Sequence, residues 1–400
     1  MPMTEPTPRD SLWTVFLIFL RLGLTSFGGP VAHLGYFREE FVSRRRWLDE
    51  PHYADLIALC QFLPGPASSQ LGMALGALRA GQWGALVAWT GFTLPSALLM
   101  LLVALGLSRH GQWLPVGALH GLMLVSVAVV AHAVWGMAKS LCPDWQRQGL
   151  MILVTAVALR WPGVVVQMLV ILAAALLGMA CLRPSAVGDS VGPGHCASRR
   201  RGGFYLLLFF ALLALLPLAA VAWHWPWLAQ FDAFYRVGSL VFGGGHVVLP
   251  LLQSAVVEPG WVDAQTFLAG YGAAQALPGP LFSFAAFLGA AITEPGGATG
   301  ALLCLVAIFL PSFLLVLGAL PFWKSLRRQH RLRAALAGVN AAVVGLLLAA
   351  LIHPIGSETI VGLLDISLVA LAFLVLLSGR VPPWALVLLG ALGGGLVGAF

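Results

Sequence analysis

The chain has 400 residues, of which 60% are hydrophobic and 9% are charged, whereas about a quarter of the residues in a soluble domain are charged. This composition excludes an ordinary soluble protein. The formal net charge of +7 does not indicate nucleic-acid binding, because cytoplasmic loops of membrane proteins collect lysine and arginine whatever the function. The sequence therefore predicts an all-α integral membrane protein that crosses the lipid bilayer many times, with about 10 to 14 membrane segments.

Two stretches of the chain, about 215 residues apart, are near copies of each other. Three motifs recur in the same order: F-G-G-P at 27–30 as F-G-G-G at 242–245, Q-F-L-P-G-P at 61–66 as Q-A-L-P-G-P at 275–280, and L-P-S at 94–96 as L-P-S at 310–312. An internal repeat of this kind decides the architecture. In a membrane chain, matching Gly/Pro-broken segments in two halves point to a transport site.

The repeats define the domain organisation. We expect an N-terminal repeat over residues 1–182, a cytoplasmic linker over 183–203 that is rich in Pro, Gly and Ser, and a C-terminal repeat over 204–400. The five cysteines are scattered and contain no C-x-x-C pair. Neither a metal site nor a disulfide framework is therefore predicted, and no cofactor is expected.

The charges of the loops indicate that the two repeats lie in opposite orientations. Four arginines lie between residues 38 and 46, after the first F-G-G motif, whereas the matching loop at 251–265 has no Lys or Arg. The basic cluster of the second half comes later, at 324–333. Basic loops mark the cytoplasmic face, so this exchange predicts two inverted-topology repeats.

An odd number of crossings must then separate the two matching loops. Five are predicted, at 84–107, 113–138, 148–158, 163–182 and 204–223. The scheme also requires each F-G-G and P-G-P motif to enter the membrane and return, as a hairpin of two half-helices on either side of a Gly/Pro break.

The two F-G-G motifs form the first candidate site, together with Ser26, which directly precedes the first of them. Glycines loosen an apolar helix, and a proline suits the first turn of a new one. The N–H groups at such a restart form a ready anion site. The alternative is close helix packing through small residues. The candidate residues are Ser26, Gly28, Gly29 and Pro30 in the first copy and Gly243, Gly244 and Gly245 in the second.

The P-G-P motifs are a stronger signal, because two prolines around a glycine prevent a continuous helix. They comprise Pro64, Gly65 and Pro66, and Pro278, Gly279 and Pro280. The first restart is polar, with Ser68, Ser69 and Gln70, whereas the second offers little beyond Ser283. We therefore expect the first copy to carry more of the binding. The alternative is a pair of structural kinks that bind no ligand.

Arg21 and Arg236 occupy matching places inside apolar stretches. An arginine within the membrane is a functional hypothesis by default, since a guanidinium can neutralise an oxyanion and hold it by two hydrogen bonds. The alternative is that each side chain reaches to the membrane surface. His33 and His246 are candidates for carrying a coupling proton, with an ordinary hydrogen-bonded histidine as the alternative.

With these motifs the chain resembles the chromate transporter family, in its long form with two fused homologous halves. The resemblance is carried by L-G-L-T-S-F-G-G-P at 22–30, by E-E-F-V and R-R-W-L within 39–48, and by the motifs at 61–66, 242–245 and 275–280. It implies export of chromate from the cytoplasm, with sulfate as a competing dianion, halves of opposite orientation, and proton-coupled antiport. The copies differ where Gly245 replaces Pro30 and Phe284 replaces Gln70.

The residues alone indicate a secondary transporter of a small anion. No G-K-[ST] nucleotide-binding loop is present in the sequence, which argues against ATP-driven pumping, and no cluster of catalytic groups indicates an enzyme. We expect alternating access in the cell (inner) membrane around a site near the bilayer midplane. A permease for sulfate or another oxyanion and an anion channel are the alternatives, and assembly into a homo-oligomer is left open.

Overall fold

The computed structural model of the protein describes residues 10–27, 29–110, 116–182, 198–242, 248–326 and 329–397. Within these ranges the chain forms helices and no strand. Five of the helices are long and apolar enough to cross a membrane, and several shorter apolar helices accompany them. The predicted class, an all-α membrane protein, is confirmed.

The first repeat consists of seven helices within the described residues, of which α2 continues as a π-helical turn over Glu39–Arg44. Their bounds are α1 Leu12–Thr25, α2 Gly29–Arg38, α3 Glu50–Phe62, α4 Ala67–His110, α5 Val116–Leu141, α6 Trp145–Arg160 and α7 Val164–Cys181. α4 is interrupted at Ala80 and Gly81, whose backbone angles are not helical. Its first part packs back on its second. Gly76 and Gly84 lie so close that a Cβ on Gly76 would collide with the backbone oxygen of Gly84.

Both motifs of the first repeat form hairpins of short helices. The Phe19 ring on α1 lies 5.8 Å from that of Phe37 on α2 and 5.2 Å from that of Phe41, so the chain reverses at the F-G-G break. At the outer end of α1, Asp10 pairs with Arg79, at 3.0 Å, where the first part of α4 ends. The two hairpins therefore open on the same side of the molecule.

The second repeat is described from α8 onward. Its helices are α8 Arg199–Trp223, α9 Pro226–Leu240, α10 Val248–Val256, α11 Ala264–Ala276, α12 Phe284–Ala291, α13 Gly297–Ala319, α14 Trp323–Leu326, α15 His330–Ala350, α16 Ser357–Thr359, α17 Leu363–Leu377 and α18 Pro383–Val397. The pattern of the first repeat recurs. The Gln230 side chain near the start of α9 donates to the Glu294 carbonyl beyond α12, and Gly289 packs on Gly300 as Gly76 packs on Gly84.

α8 joins the two sets of hairpins. Near its first end, the Tyr205 hydroxyl donates to Gln82 Oε1 at 2.6 Å, beside the hairpins of the first repeat. Its other end, at Trp223, leads directly into α9. The helix has 25 residues and is about 37 Å long. It begins at Arg199, five residues before the predicted crossing, because the three arginines continue the helix as good helix formers.

Helices of each repeat also pack against helices of the other repeat. α5 of the first repeat packs against α17 and α18 of the second, while α15 of the second packs against α6 and α7 of the first. Gly121 approaches Gly390, and Gly178 approaches Gly338, so closely that neither glycine of a pair has room for a Cβ. Small residues at these crossings allow the backbones to touch. Helices from residues 1–182 and helices from residues 204–400 therefore pack closely against each other.

Candidate functional site

A P-G-P loop of one repeat is hydrogen-bonded to a broken helix of the other. The Gly279 N–H donates to the carbonyl of Ser26, directly after the end of α1, at 3.0 Å. Gly279 has a φ of 97°, in the region that favours glycine. A Cβ at this position would lie 2.9 Å from the Ser96 hydroxyl on α4. We call this contact the Ser26–Gly279 junction.

The same contact occurs between the opposite pair of motifs. The Gly65 N–H donates to the carbonyl of Val241, directly after the end of α9, at 2.6 Å. Gly65 has a φ of 125°, and a Cβ there would collide with the Ser312 hydroxyl and the Gln70 amide. We call this contact the Val241–Gly65 junction. In the repeat, Val241 is the counterpart of Ser26 and Gly65 is the counterpart of Gly279, so the two junctions are structurally equivalent.

The two junctions contain different polar groups. In the Ser26–Gly279 junction, His33 Nε2 lies 3.2 Å from the Ser26 carbonyl, to which it donates, and the imidazole packs edge-on against Phe92 at 5.3 Å. Two polar atoms there, Ser26 Oγ and His33 Nδ1, are buried and have no hydrogen-bond partner among the described residues. Thr93, which follows Phe92 on α4, also has a buried hydroxyl without a described partner. The counterparts of Ser26, His33 and Thr93 in the second repeat are apolar, namely Val241, Val248 and Phe309.

These unpaired atoms are the strongest sign of a ligand site. Most buried polar groups in proteins are hydrogen-bonded, and those that are not call for an explanation such as a bound water or ion. Irregular backbone at membrane depth also occurs only where it is buried in protein or lines a wet cavity. The Ser26–Gly279 junction combines both features, and it belongs to two repeats rather than to one.

The Gln70 side chain is hydrogen-bonded to the P-G-P loop of its own repeat. Its Nε2 donates to the Pro64 carbonyl at 2.6 Å and lies 3.4 Å from the Ser312 hydroxyl, while its Oε1 is buried without a partner among the described residues. The amide N–H groups therefore hold the P-G-P loop, and the free atom is an acceptor. Ser68 and Ser69 are buried in the first turn of α4, and the Ser69 hydroxyl has no described partner.

The two matched arginines have unequal surroundings. Arg21 is exposed on α1, on the same face as Leu17 and Leu24. Arg236 lies 2.6 Å from the carboxylate of Asp232, one turn earlier on α9, and Asp232 is only 3% exposed. Sequence reasoning missed this carboxylate, although its i,i+4 spacing from Arg236 is a readable signal. Leu17 takes the place of Asp232 in the first repeat.

The structure divides the predicted residues between the junctions. Ser26, His33 and the loop from Pro278 to Pro280 meet in one, whereas the loop from Pro64 to Pro66 and Gln70 meet in the other. Gly29 and Pro30 begin α2, as a proline in the first helical turn should. Gly28, Gly243, Gly244, Gly245 and His246 lie outside the described residues. Thr93, Ser96 and Ser312 were missed, although the repeated L-P-S motif marks two of them.

Broken half-helices meet inside an apolar helical bundle and leave hydroxyl and imidazole atoms unpaired among the described residues. This arrangement is typical of a membrane transport protein rather than of an enzyme. The comparison with known families agrees. The model of the chromate transporter family matches residues 13–179 and 228–395, which together make up most of the chain. The protein belongs to the chromate transporter family, and the match to two segments confirms the predicted long form.

Curated relatives cover nearly the same extent. The chain is 29% identical to the chromate transport protein of Pseudomonas aeruginosa over 86% of this chain and 81% of that one. It is 27% identical to the chromate transport protein of Cupriavidus metallidurans over 86% and 83%, and 26% identical to a probable chromate transport protein of Synechococcus elongatus over 86% and 85%. No solved structure matches.

Proposed function

We propose that the protein exports chromate, a sulfate-like dianion, across the cytoplasmic (inner) membrane, by proton-coupled alternating access around the Ser26–Gly279 junction. The observation that carries the proposal is that buried, unpaired atoms of Ser26 and His33 lie at a contact between the two repeats. The buried, unpaired hydroxyl of Thr93, which follows Phe92 on α4, adds to it. The membership of the family and the names of the curated relatives support chromate as the substrate.

Alternating access needs two units that move against each other, and inverted repeats are its usual basis. The proposed inversion is supported by the path of α8, which runs from the hairpins of the first repeat near Gln82 to the start of α9. A helix of about 37 Å spans a bilayer core, so its ends lie at opposite faces. The arginine-rich loop at 44–46 then marks the cytoplasmic face. An assembly of identical chains stays a prediction.

The chemistry of the junction suits a dianion. Hydrogen bonds to a charged ligand contribute about 1.5–3 kcal/mol each, and the hydroxyls of Ser26 and Thr93 are free to donate. The driving force is supplied by the inside-negative membrane potential, which favours the exit of each negative charge by about 2.3 kcal/mol per 100 mV. Proton exchange, which the family resemblance implies, adds to that force.

The proposal is tested by the uptake of labelled chromate into inverted membrane vesicles that contain the protein. We expect saturable uptake that responds to an imposed pH gradient and that sulfate inhibits more strongly than the larger molybdate. Vesicles without the protein are the control. Sulfate uptake without chromate uptake would assign the protein as a sulfate permease, and uptake that neither saturates nor responds to the pH gradient would assign it as an anion channel.

His33 is the proposed coupling residue. Its Nδ1 has no partner among the described residues, so a proton can be added there without breaking an existing hydrogen bond. In His33→Gln the amide can still donate to the Ser26 carbonyl but cannot titrate. We expect chromate uptake to continue under an imposed potential and to lose its response to a pH gradient. An unchanged response would move the coupling to another residue.

A further inference from the structure

A polar cavity of about 350 Å³ lies between helices of the two repeats. Its walls are the α6–α7 loop around Trp161, one side of α10 and the end of α15 up to His353. Among the described residues, none of those forming the two junctions lines it. One water occupies roughly 30 Å³ in the liquid, so this space can hold a tetrahedral oxyanion with part of its hydration shell.

The cavity is lined by neutral hydrogen-bonding groups from both repeats. Gln167 on α7 donates through Nε2 to the Ser254 hydroxyl on α10 at 2.7 Å. The neighbouring Gln253 is 5% exposed, and its Nε2 is buried without a partner among the described residues. An unsatisfied buried donor costs about 1–3 kcal/mol. A ligand with acceptor oxygens would satisfy it.

The cavity lies at the membrane face opposite the one that carries the basic loops. α15 begins at His330, beside Arg331 and Arg333, and its far end lines the cavity. The carboxylate of Glu258, exposed at the surface, is also part of the lining. In the first repeat the place of Gln253 is taken by Arg38. At this position the cytoplasmic side therefore carries an arginine, which pairs with Glu50 at 2.6 Å, and the side of the cavity carries an amide with a carboxylate nearby.

We propose that this cavity is the outer vestibule of the transport path, a weak binding site for the tetrahedral oxyanion after it leaves the Ser26–Gly279 junction, with the Gln253 amide as the donor. Neutral donors hold a dianion less tightly than an arginine does, and Glu258 repels it. Such a site releases its ligand outward and resists its return. The inference rests on the proposed function, because it takes the same oxyanion as the ligand.

The test is cysteine labelling in an active variant without native cysteines. Val257→Cys places a thiol in the cavity wall, and Val361→Cys places one on an 86% exposed residue between α15 and α17, which serves as the control. We expect a membrane-impermeant thiol reagent to label both in right-side-out vesicles and neither in inverted vesicles. Sulfate at ten times its half-protecting concentration should slow labelling of Val257→Cys about tenfold and leave Val361→Cys unaffected.

Adding Gln253→Leu to Val257→Cys should raise the half-protecting sulfate concentration about tenfold, as expected for the loss of one hydrogen bond to an anion. Labelling of Val257→Cys from the cytoplasmic side, or labelling that sulfate does not slow, would overturn the vestibule. Those outcomes are distinct from failure of the proposed function, which would appear as the absence of oxyanion uptake by the unsubstituted protein.

Discussion

Gly279→Ala is expected to lower chromate transport at least tenfold while the protein still accumulates in the membrane. Gly279 has a φ of 97°, which costs an alanine about 1–2 kcal/mol. Its new methyl group would lie 2.9 Å from the Ser96 hydroxyl, and overpacking of this kind costs roughly 1–3 kcal/mol more. The P-G-P loop must shift to relieve the contact, and that shift breaks the hydrogen bond to Ser26.

The matched control is Gly260→Ala. Gly260 also has a positive φ, 75°, but a Cβ there would meet no atom within 4 Å, and the residue lies in an exposed turn. It therefore carries similar backbone strain without a collision. Initial rates of labelled chromate uptake, divided by the amount of each variant in the vesicles, separate the two effects. Equal rates for the two variants would mean that the loop geometry at Gly279 does not matter for transport.

The ion pair of α9 gives the second large effect. Asp232→Leu leaves the Arg236 guanidinium without its carboxylate, as in the first repeat, where Leu17 precedes an exposed Arg21. Breaking a buried pair costs about 3–5 kcal/mol. Because Arg236 is about one third exposed, we expect a loss nearer 2 kcal/mol in the free energy of unfolding. Thermal unfolding of the purified variant in detergent measures it.

The double variant Asp232→Leu, Arg236→Met is the control for this prediction. It removes both charges, so we expect the unfolding temperature to return close to that of the unsubstituted protein. The transport rate of the double variant tests the predicted role of Arg236 in binding the anion. If Arg236 binds the anion, the rate of the double variant stays low. A stable Asp232→Leu single variant would show that the pair contributes nothing, and normal transport by the double variant would remove Arg236 from the site.

The sequence predicted the membrane class and the broken hairpins because both depend on local chemistry. An apolar run predicts a membrane segment and a P-G-P motif predicts a break in a helix, whichever segments lie beside them. The five crossings between the matching loops also appear as helices, in the second part of α4 and in α5 to α8. What could not be predicted is which segments meet, since residues 26 and 279 are brought together only by the packing of one repeat on the other.

The site itself shows the same limit. We expected residues of the first repeat, among them Ser68, Ser69 and Gln70, to hold the anion, and the second repeat to complete the cavity. In the structure Ser26 contacts the P-G-P loop of the second repeat, and Gln70 donates to Pro64 of its own P-G-P loop. Thr93 carries no repeated motif and its counterpart is Phe309, so no pattern in the sequence singled it out. Its importance rests on burial without a partner.

The most direct test compares the half-saturating chromate concentration of two variants. Ser26→Ala with Thr93→Val removes two buried hydroxyls that have no described partner, so stability should not fall. Ser312→Ala removes one hydroxyl from the Val241–Gly65 junction, where it lies 3.4 Å from Gln70 Nε2. We expect the first variant to raise the half-saturating concentration roughly tenfold or more and the second to leave it unchanged. An unchanged value for the first variant, or a larger rise for Ser312→Ala, would contradict the binding of the anion at the Ser26–Gly279 junction.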